Sequence, residues 1–546
     1  MKSLNAAVVL SCLLPSLVAG NQKDRPLQYA NHLFNSIHSS MRQFGSSLNH
    51  NGMTLFMATV PEDTEFYHGT QSPYRVNGTE WLAFEPEHAM LFARARRGPP
   101  PDHRGPPRPV GTYDHADQPV ELDFDDIESF DHGRPPAAPR RGHRNGGRQR
   151  WSLFNRDKHH ELRGDSKQNP IMEPHDNDND SHGYIHTYRT KHALRLLYLD
   201  GQSAAKSDKG TLDIQDLVLL HDNPPSVFAK PPGDSRGGGP MGESARAASL
   251  CNLAQERWGG RIDGILRMEG GFEIILCDFA KDLDIVRISQ TQSNPNTQRE
   301  DSFNYYQAVA ARYDSIGGNR VTLNYEDFVS LFTNEEALSF DETNRPRVRN
   351  ESTNAITNLR IQIDEMVFRH PNPDATNWQS IADMVVARYA HRIEYLASSE
   401  IKDIDLFKAE VDRALRPFID HSARNRTTEI ARCAAQFFPA NATTSSTAAR
   451  AIHGVTTTIC KALSAASIID TTAHGLSMMR ALKDWLAWTE WKKCRGCASN
   501  EVCFLPIWPV GSASDFEKPV CRSDVMDAES DYWGGFGRPP RDGERD

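Results

Sequence analysis

The sequence predicts an α+β protein with a strand-rich N-terminal part and a helical C-terminal part. Apolar runs of strand length, rich in β-branched and aromatic residues, are concentrated in residues 21–95 and 183–292. Across residues 300–491, apolar residues instead recur every three or four positions, which is typical of helices that bury one face. A chain of 546 residues is also too long for a single hydrophobic core. We therefore expect a mixed α+β domain followed by an all-α domain.

The α+β domain should begin with one amphipathic helix within residues 21–50, where Leu33, Ile37, Met41 and Phe44 share one face. A second helix is expected at residues 243–259. The expected strands are residues 53–60 and 65–70, the start of 80–93, one or two within 184–201, and 262–268, 272–277 and 283–288. The all-α domain should include helices at residues 353–370 and 378–397, among others.

Residues 96–182 separate the two strand-rich segments and differ from both in composition. They are rich in Pro, Gly, Arg, His and Asp and have almost no apolar periodicity. A loop of this length is uncommon inside a compact domain, and this composition buries too little apolar surface to fold alone. We predict a disordered insertion. Its acidic run (120–130) and basic run (139–150) favour a solvated linker over nucleic-acid binding.

The first 20 residues have the three parts of a secretory signal peptide. Lys2 precedes an apolar run, and the small residues Ala19 and Gly20 end it. No later stretch offers the roughly 18 apolar residues needed to cross a bilayer. The mature chain is therefore expected to be secreted, extracellular and free of membrane. Its formal net charge of −10 is mild for this length, and no nucleic-acid partner is expected.

Sequons and cysteines agree with export. The N-x-S/T sequons mark five glycosylation candidates, Asn77, Asn179, Asn350, Asn425 and Asn441. Loss of Cys12 with the signal peptide leaves an even number of cysteines, which favours disulfides in an oxidising compartment. The disulfide candidates are Cys251, Cys277, Cys433, Cys460, Cys494, Cys497, Cys503 and Cys521.

The last four cysteines define a small cysteine-rich module at residues 492–530, followed by a polar tail (531–546) that we predict to be disordered. The spacing Cys494-x-x-Cys497 also permits a zinc site, but the oxidising compartment favours disulfides, and no metal is expected. Cys251 could pair with Cys277, and Cys433 with Cys460. The sequence alone does not determine the pairing.

Three apolar, strand-like segments contain residues that are unusual in a strand of a hydrophobic core. His68, Gly69 and Thr70 end the segment EFYHGT (65–70), Trp81 opens EWLAFEPEHAMLFA (80–93), and Glu273 opens an apolar strand within residues 268–289. The chain has no HExxH, GxSxG or P-loop motif. These segments are therefore the candidate functional site.

The same segments resemble ADP-ribosyltransferases of the diphtheria-toxin-like and poly(ADP-ribose)-polymerase-like kind. F-Y-H-G-T is similar to the first strand of that family, which carries a His-Gly pair. Residues 78–93 look like its second element, a strand that leads into an alanine-containing helix, and residues 272–289 look like its closing hairpin, in which a Glu opens an apolar strand. The whole chain is also similar to secreted proteins of filamentous fungi, including the stretch E-V-C-F-x-P-x-W-P-x-G near its C-terminus.

The resemblance implies an ADP-ribosyltransferase-like α+β domain that takes NAD as its substrate. His68 would bond the adenosine-side ribose, and the backbone of Gly69, beside Thr70, would hold the nicotinamide carboxamide. Trp81 would stack on the nicotinamide ring, and Glu273 would bond the nicotinamide-side ribose. Glu273 and His68 are then the expected catalytic residues, and Glu269 is an alternative carboxylate. The implied partner is a protein target of ADP-ribosylation, with hydrolysis of NAD as the other outcome.

Each of these residues also has a purely structural explanation. His68 could be a hydrogen-bonded histidine at a strand end, Trp81 a core aromatic residue, and Glu273 a surface carboxylate. The alternative function is therefore that of a non-catalytic secreted or cell-wall-associated binding protein with a degenerate cleft. The sequence indicates neither the target nor the oligomeric state.

Overall fold

The computed structural model describes residues 27–93, 182–221, 242–291, 298–311, 319–370, 375–439, 445–525 and 531–534. The predicted signal peptide, nearly all of the predicted insertion, most of the polar tail, and the sequons at Asn179 and Asn441 lie outside these ranges. The α+β class is confirmed, because the described residues contain a nine-stranded sheet together with many helices.

Two short helices open the described chain where the sequence predicted one. These are α1 (Ala30–Ser39) and α2 (Gln43–Leu48), and the chain turns between them at Met41, whose φ of 55° is left-handed. Helix α1 is buried between the two largest hydrophobic clusters of the described residues: Leu33 belongs to one cluster and Phe34 to the other.

The nine-stranded sheet combines distant parts of the chain in the order β8-β4-β2-β3-β7-β6-β5-β1-β9. Every neighbouring pair is antiparallel except β5 and β6, which are parallel and joined by a crossover through helix α4 (Glu243–Glu256). The strands are β1 (Thr54–Val60), β2 (Glu65–Thr70), β3 (Glu80–Ala83), β4 (Gly183–Thr190), β5 (Leu194–Leu199), β6 (Gly264–Met268), β7 (Phe272–Leu276), β8 (Leu283–Thr291) and β9 (Thr322–Ser330).

Short helices flank these strands. Helix α3 (Pro86–Met90) follows β3, a π-helical turn (Ile214–Leu219) follows β5, α5 (Phe279–Asp282) links β7 to β8, and α6 (Gln298–Ala310) follows β8. Strands β10 (Leu338–Phe340) and β11 (Pro346–Val348) form a separate hairpin.

The C-terminal helices are α7 (Thr353–Phe368), α8 (Trp378–Ala397), α9 (Ile404–Leu415), α10 (Arg426–Ala435), α11 (Thr447–Ala466) and α12 (Thr472–Leu486). Successive strand residues point to opposite sides, so the sheet presents apolar side chains on both of its faces. Helices pack on each face. Phe66 and Leu82 share one cluster with α8 and α11, whereas Ile265 and Ile275 share the other with α4 and α7. None of the described helices is long and apolar enough to span a membrane.

The sequence-based boundary near residue 300 needs a correction. Strand β9 lies within the segment that we expected to be all helical, and it extends the sheet by pairing with β1. The helices and the sheet also share hydrophobic clusters, and all of the described residues belong to one compact unit. Strand β9 lies at the edge of the sheet, where it has one partner and buries only three of its nine residues, so its sequence carries little apolar alternation.

The prediction that the eight cysteines pair in disulfides is confirmed. The bonds are Cys251–Cys277, Cys433–Cys460, Cys494–Cys503 and Cys497–Cys521. The last two hold the C-terminal module, which contains the β12 (Val502–Phe504) and β13 (Val520–Arg522) hairpin and helix α13 (Ala513–Glu517). Because their sulfurs are bonded to one another, these four cysteines offer no thiolate for the zinc site that their spacing also permitted.

Replacing Cys433 and Cys460 together with alanine should lower the free energy of unfolding by about 3 kcal/mol. The bond closes a loop with a sequence separation of 27 and ties α10 to α11. Denaturant unfolding of both proteins would measure the difference. An unchanged unfolding midpoint at an equal m-value would contradict this expectation.

Three of the predicted glycosylation sites are described, and all three are exposed: Asn77, Asn350 and Asn425. The Asn425 side-chain oxygen also accepts a hydrogen bond from the Thr428 amide and so caps α10. The amide nitrogen of Asn425, which a glycan would take, does not make this bond. Glycosylation at these sites stays a prediction.

Candidate functional site

The three residues singled out by the sequence lie on three adjacent strands. His68 is on β2, Trp81 on β3 and Glu273 on β7, and these strands are neighbours in the sheet. Across the pairs, Ala83 is opposite both Tyr67 and Glu273. The fold therefore brings together segments that are some two hundred positions apart in the chain.

The side chains do not all point the same way. Trp81, like Ala83, projects from the same face of the sheet as Glu273, since residues two apart on a strand share a face. His68 is one position from Tyr67, which shares the face of Glu273, so His68 projects from the opposite face. This corrects the expectation that one dinucleotide would touch all three side chains.

His68 is a buried, neutral histidine in the apolar cluster on the opposite face. Its ring lies 5.9 Å from the ring of His186 and 5.8 Å from that of Phe279. Its Nδ1 lies 2.9 Å from the Trp81 carbonyl oxygen, within hydrogen-bonding distance. Burial lowers the pKa of His68 to about 4. His68 therefore links β2 to β3 at the residue that carries the candidate aromatic ring.

Gly69 and Thr70 have local structural explanations. A Cβ atom on Gly69 would lie 1.8 Å from the Ala89 carbonyl oxygen, so only glycine allows α3 to pack so closely on β2. The Thr70 hydroxyl accepts a hydrogen bond from the Ser72 amide and stabilises the turn that follows the strand. The structure gives neither residue a side chain that points at Glu273.

Glu273 lies in a buried group of charged side chains that we call the carboxylate cluster. Arg267 on β6 is directly opposite Glu273, and its Nε donates to Glu273 Oε1 at 2.9 Å. The same guanidinium also donates to Glu243 of α4 and, at 2.8 Å, to Gln215 of the π-helical turn. Arg267 is fully buried and Glu273 is 5% exposed. The cluster comprises Lys206, Glu243, Arg267, Glu269 and Glu273.

Lys206 and Glu269 form the more accessible side of the cluster. Lys206 Nζ lies 2.5 Å from Glu269 Oε1 and 3.9 Å from Glu243 Oε1. The Glu269 side chain is 18% exposed, against 7% for that of Glu273. Glu269 lies in the tight turn between β6 and β7, where its amide donates to the Gly271 carbonyl.

The three carboxyl groups of the cluster differ in the direction in which their pKa values are shifted. Burial raises the pKa of Glu273, and the charges of Arg267 and Lys206 oppose that rise. Burial also raises the pKa of Glu269, with Lys206 opposing it and the neighbouring carboxylates adding to it. Burial acts on Glu243 as well, but Arg267 and Lys206 outweigh it and hold the pKa of Glu243 below its usual value. The pKa of Glu243 therefore lies below its usual value, and those of Glu269 and Glu273 lie above theirs, so these two carboxyls are more readily protonated than Glu243.

His88 of α3 and Tyr305 of α6 border the turn between β6 and β7. A Cβ atom on Gly270 would lie 1.9 Å from Tyr305 Oη, and one on Gly271 would lie 2.9 Å from His88 Nδ1. The pair of glycines thus allows both rings to approach the strand end. His88 Nδ1 has no hydrogen-bond partner in the part of the chain that the structure describes, and burial lowers the pKa of His88 to about 4.

Sequence reasoning missed Lys206 and Arg267. Lys206 lies in residues 202–220, which contain Gly, Lys and Ser but lack the P-loop spacing and therefore attracted no role. Arg267 had a signal that could have been used, because a charged residue stands inside the apolar strand Gly264–Met268. A buried arginine in a strand needs buried anions, and the sequence offers Glu269 and Glu273 close by.

The fold and the cluster define a disulfide-bonded α+β protein that buries a network of acidic and basic side chains at one face of its sheet. A family model described as the YPL277C N-terminal domain matches residues 22–300, which is more than half of the chain. The chain belongs to this family. The matched range contains every member of the carboxylate cluster and all three residues predicted from the sequence.

Two proteins of Saccharomyces cerevisiae are similar to the chain. The uncharacterized protein YPL277C is 28% identical over 288 residues, which cover 51% of this chain and 47% of the relative. The uncharacterized protein YOR389W is 29% identical over 255 residues, covering 46% of this chain and 31% of the relative. The chain thus matches about half the length of one relative and a third of the other. No solved structure matches.

Proposed function

We propose that the protein is a secreted enzyme that breaks the bond between nicotinamide and ribose in NAD, and either transfers ADP-ribose to a protein target or hydrolyses NAD. One observation carries the proposal. Trp81 and Glu273 project from the same face of two paired strands, with Trp81 two positions from the residue opposite Glu273. Such diagonal neighbours are about 7–8 Å apart, within reach of a large aromatic side chain.

The chemistry gives both residues a purpose. Cleavage of the bond to nicotinamide develops positive charge on the ribose carbon, and a fixed carboxylate stabilises that charge more in the transition state than in the ground state. An indole face can hold the departing ring in orientation. Arg267 fixes the position of the Glu273 carboxylate, and its charge favours the ionised form that this role requires.

In this proposal His68 is a positioning residue. Its imidazole lies on the far face of the sheet and bonds the backbone of Trp81, so it acts through the placement of β3. The backbone of Gly69 stays the proposed contact for the carboxamide, next to α3.

A second candidate is a non-catalytic secreted or cell-wall-associated binding protein. The bond between Arg267 and Glu273 favours it, since a nearly buried carboxylate already paired with an arginine can serve stability alone. The two candidates differ in whether the purified protein consumes NAD.

The test is NAD consumption and nicotinamide release by the purified, disulfide-bonded protein. We expect turnover by the wild type and about a tenfold lower kcat/KM for Trp81→Ala, because the stacking contact is lost. Trp485→Ala is the matched control, since Trp485 is also a half-buried tryptophan but lies on α12 in the helical region. Turnover that Trp81→Ala leaves unchanged would contradict the assigned site. Absence of NAD binding and turnover in the folded wild type would support the binding protein instead.

A further inference from the structure

The segment that carries Lys206 is held from two sides. Lys206 lies in the chain between β5 and the π-helical turn. On one side the Ala204 amide donates to the Met268 carbonyl at 2.9 Å, which attaches the segment to the end of β6. On the other side Ala205 is buried in a small apolar cluster with Trp508, Tyr532 and Trp533. The second set of residues belongs to the C-terminal region, about three hundred positions away in sequence.

Trp508 makes the main contacts between this region and the Lys206 segment. The buried amide side chain of Gln202 bonds the module at two points: Gln202 Nε2 donates to the Pro506 carbonyl at 3.2 Å, and Gln202 Oε1 accepts from the Trp508 amide at 2.9 Å. The Trp508 indole nitrogen donates to the Lys206 carbonyl at 3.1 Å. Lys206 Nζ lies 4.9 Å from the centroid of the same indole ring. Trp508 therefore holds both the backbone and the ammonium group of Lys206.

A lysine side chain has four rotatable bonds, so its ammonium group stays in one place only where the surroundings restrain it. Here the ammonium lies over the Trp508 indole and 2.5 Å from Glu269 Oε1, so two groups restrain it. A desolvated ammonium over an indole is a favourable arrangement. Lys206 and Trp508 are each 5% exposed, so little water competes for these contacts.

We propose that Trp508 is a positioning residue for the carboxylate cluster, and that the C-terminal module completes the candidate site by fixing Lys206 against Glu269. The effect of Trp508 on a reaction rests on the proposed function, in which the carboxylate cluster is the reactive site. The proposal extends that site beyond residues 22–300, the range of the family match, to a module that lies outside it. Trp508 does not contact the reacting atoms in this proposal. Its effect on the reaction passes through Lys206.

The first test needs no activity. Surface and loosened lysines are methylated by formaldehyde and a borane reductant, and mass spectrometry follows the rate at Lys206. We expect methylation of Lys206 to be about tenfold faster in Trp508→Leu than in the wild type. Trp533→Leu is the matched control, because Trp533 is a buried tryptophan of the same apolar cluster whose indole donates instead to the Val510 carbonyl. In that variant the rate at Lys206 should stay within twofold of the wild type.

Trp508→Phe keeps an aromatic ring beneath the Lys206 ammonium and removes the indole N–H that donates to the Lys206 carbonyl. It should therefore give a methylation rate between those of the wild type and Trp508→Leu. It also provides the test if Trp508→Leu does not fold. Variants are compared only when they melt cooperatively and retain all four disulfides. Equal rates at Lys206 in the wild type and in the folded Trp508 variants would overturn the proposal. So would an equal increase in Trp533→Leu.

The second test is the pH dependence of NAD cleavage. Lys206 opposes the rise in the pKa of Glu273 as well as that of Glu269, so release of Lys206 should raise the pKa of Glu273 further and move the acidic limb of the profile to higher pH. Trp508→Phe and Lys206→Gln should shift the limb in the same direction, and Trp533→Leu should not. The two proposals can fail separately. If Lys206 is methylated faster in the Trp508 variants than in the wild type but the wild type does not cleave NAD, the proposed function is refuted and the positioning of Lys206 is supported. Active Trp508 variants with wild-type methylation and an unshifted limb would refute the positioning alone.

Discussion

Arg267→Met should lower the free energy of unfolding by about 3–5 kcal/mol, the largest stability effect that we expect from a single substitution in this protein. Arg267 is fully buried and donates to Glu273, Glu243 and Gln215. Methionine fills a similar volume but removes the guanidinium that bonds both buried carboxylates, and Glu243 keeps Arg246 at 3.3 Å and Lys206 at 3.9 Å. Denaturant unfolding at neutral pH would measure the loss.

The loss should shrink as the pH falls. The pKa of Glu243 lies below its usual value in the folded wild type, so its ion pair contributes stability above the unfolded pKa and loses it as the pH falls through the folded pKa. In Arg267→Met both carboxyls lose the guanidinium that favours their ionised forms, so they take up protons at higher pH than in the wild type, which removes buried charge. The two proteins should therefore differ most near pH 7 and least in mild acid.

Arg257→Met is the control for this experiment. Arg257 pairs with Asp364 at 2.7 Å, but the two side chains are 32% and 25% exposed. A partly exposed pair near the surface contributes less than a buried one, about 1 kcal/mol. Adding Glu273→Gln to Arg267→Met should recover part of the loss, because one buried charge is removed. A small loss, or one that does not change with pH, would show that the cluster is not held by its arginine.

Glu273→Gln should lower kcat for NAD cleavage by about 10²- to 10³-fold, the usual cost of removing one preorganised electrostatic contact to a transition state. The amide keeps the size of the carboxyl group and removes the charge that, in the proposed reaction, faces the developing ribose cation. Because burial raises the pKa of Glu273, the wild-type rate should rise with pH from above the ordinary range of a glutamate, and the variant should lose that dependence.

Two further variants make this prediction specific. Glu410→Gln is the control, because Glu410 is also a partly buried glutamate bonded to arginines but lies on α9. Glu269→Gln distinguishes the two neighbouring carboxyls. Full activity in Glu273→Gln together with inactive Glu269→Gln would assign the role to Glu269, and full activity in both would remove the cluster from the reaction.

The sequence predicted most of the elements correctly and the site only in part, for identifiable reasons. The apolar runs of β1, β6 and β7 result from burial on both faces of the sheet, and the helical stripes of α8 and α11 result from burial of one face; the local sequence records both patterns. Strand β9 buries little and was missed. His68 could be placed at a strand end, but its face relative to Glu273 depends on the pairing of Tyr67 with Ala83 and of Ala83 with Glu273, and that register is set by the whole sheet.

Contacts between distant parts of the chain were beyond the reach of local patterns. The role of Lys206 depends on two contacts that only the folded chain makes, one between its segment and the end of β6 and one with Trp508. The disulfide partners were likewise open, because an even number of cysteines indicates bonds and not connectivity. Arg267 is different, because the local sequence does contain a signal for its role: it is a charged residue within an apolar strand.

The Cys251–Cys277 bond has a consequence for the maturation of the protein. It joins α4, which begins with Glu243, to the end of β7, which begins at Phe272 and carries Glu273. The two acids that Arg267 brings together are thus also linked covalently through their own elements. The link forms only when both thiols are oxidised, so oxidation adds a covalent restraint between the two elements that carry these acids. In a reduced chain the two repelling acids would be held together by noncovalent contacts alone, with Arg267 bonded to both and Arg246 and Lys206 beside Glu243.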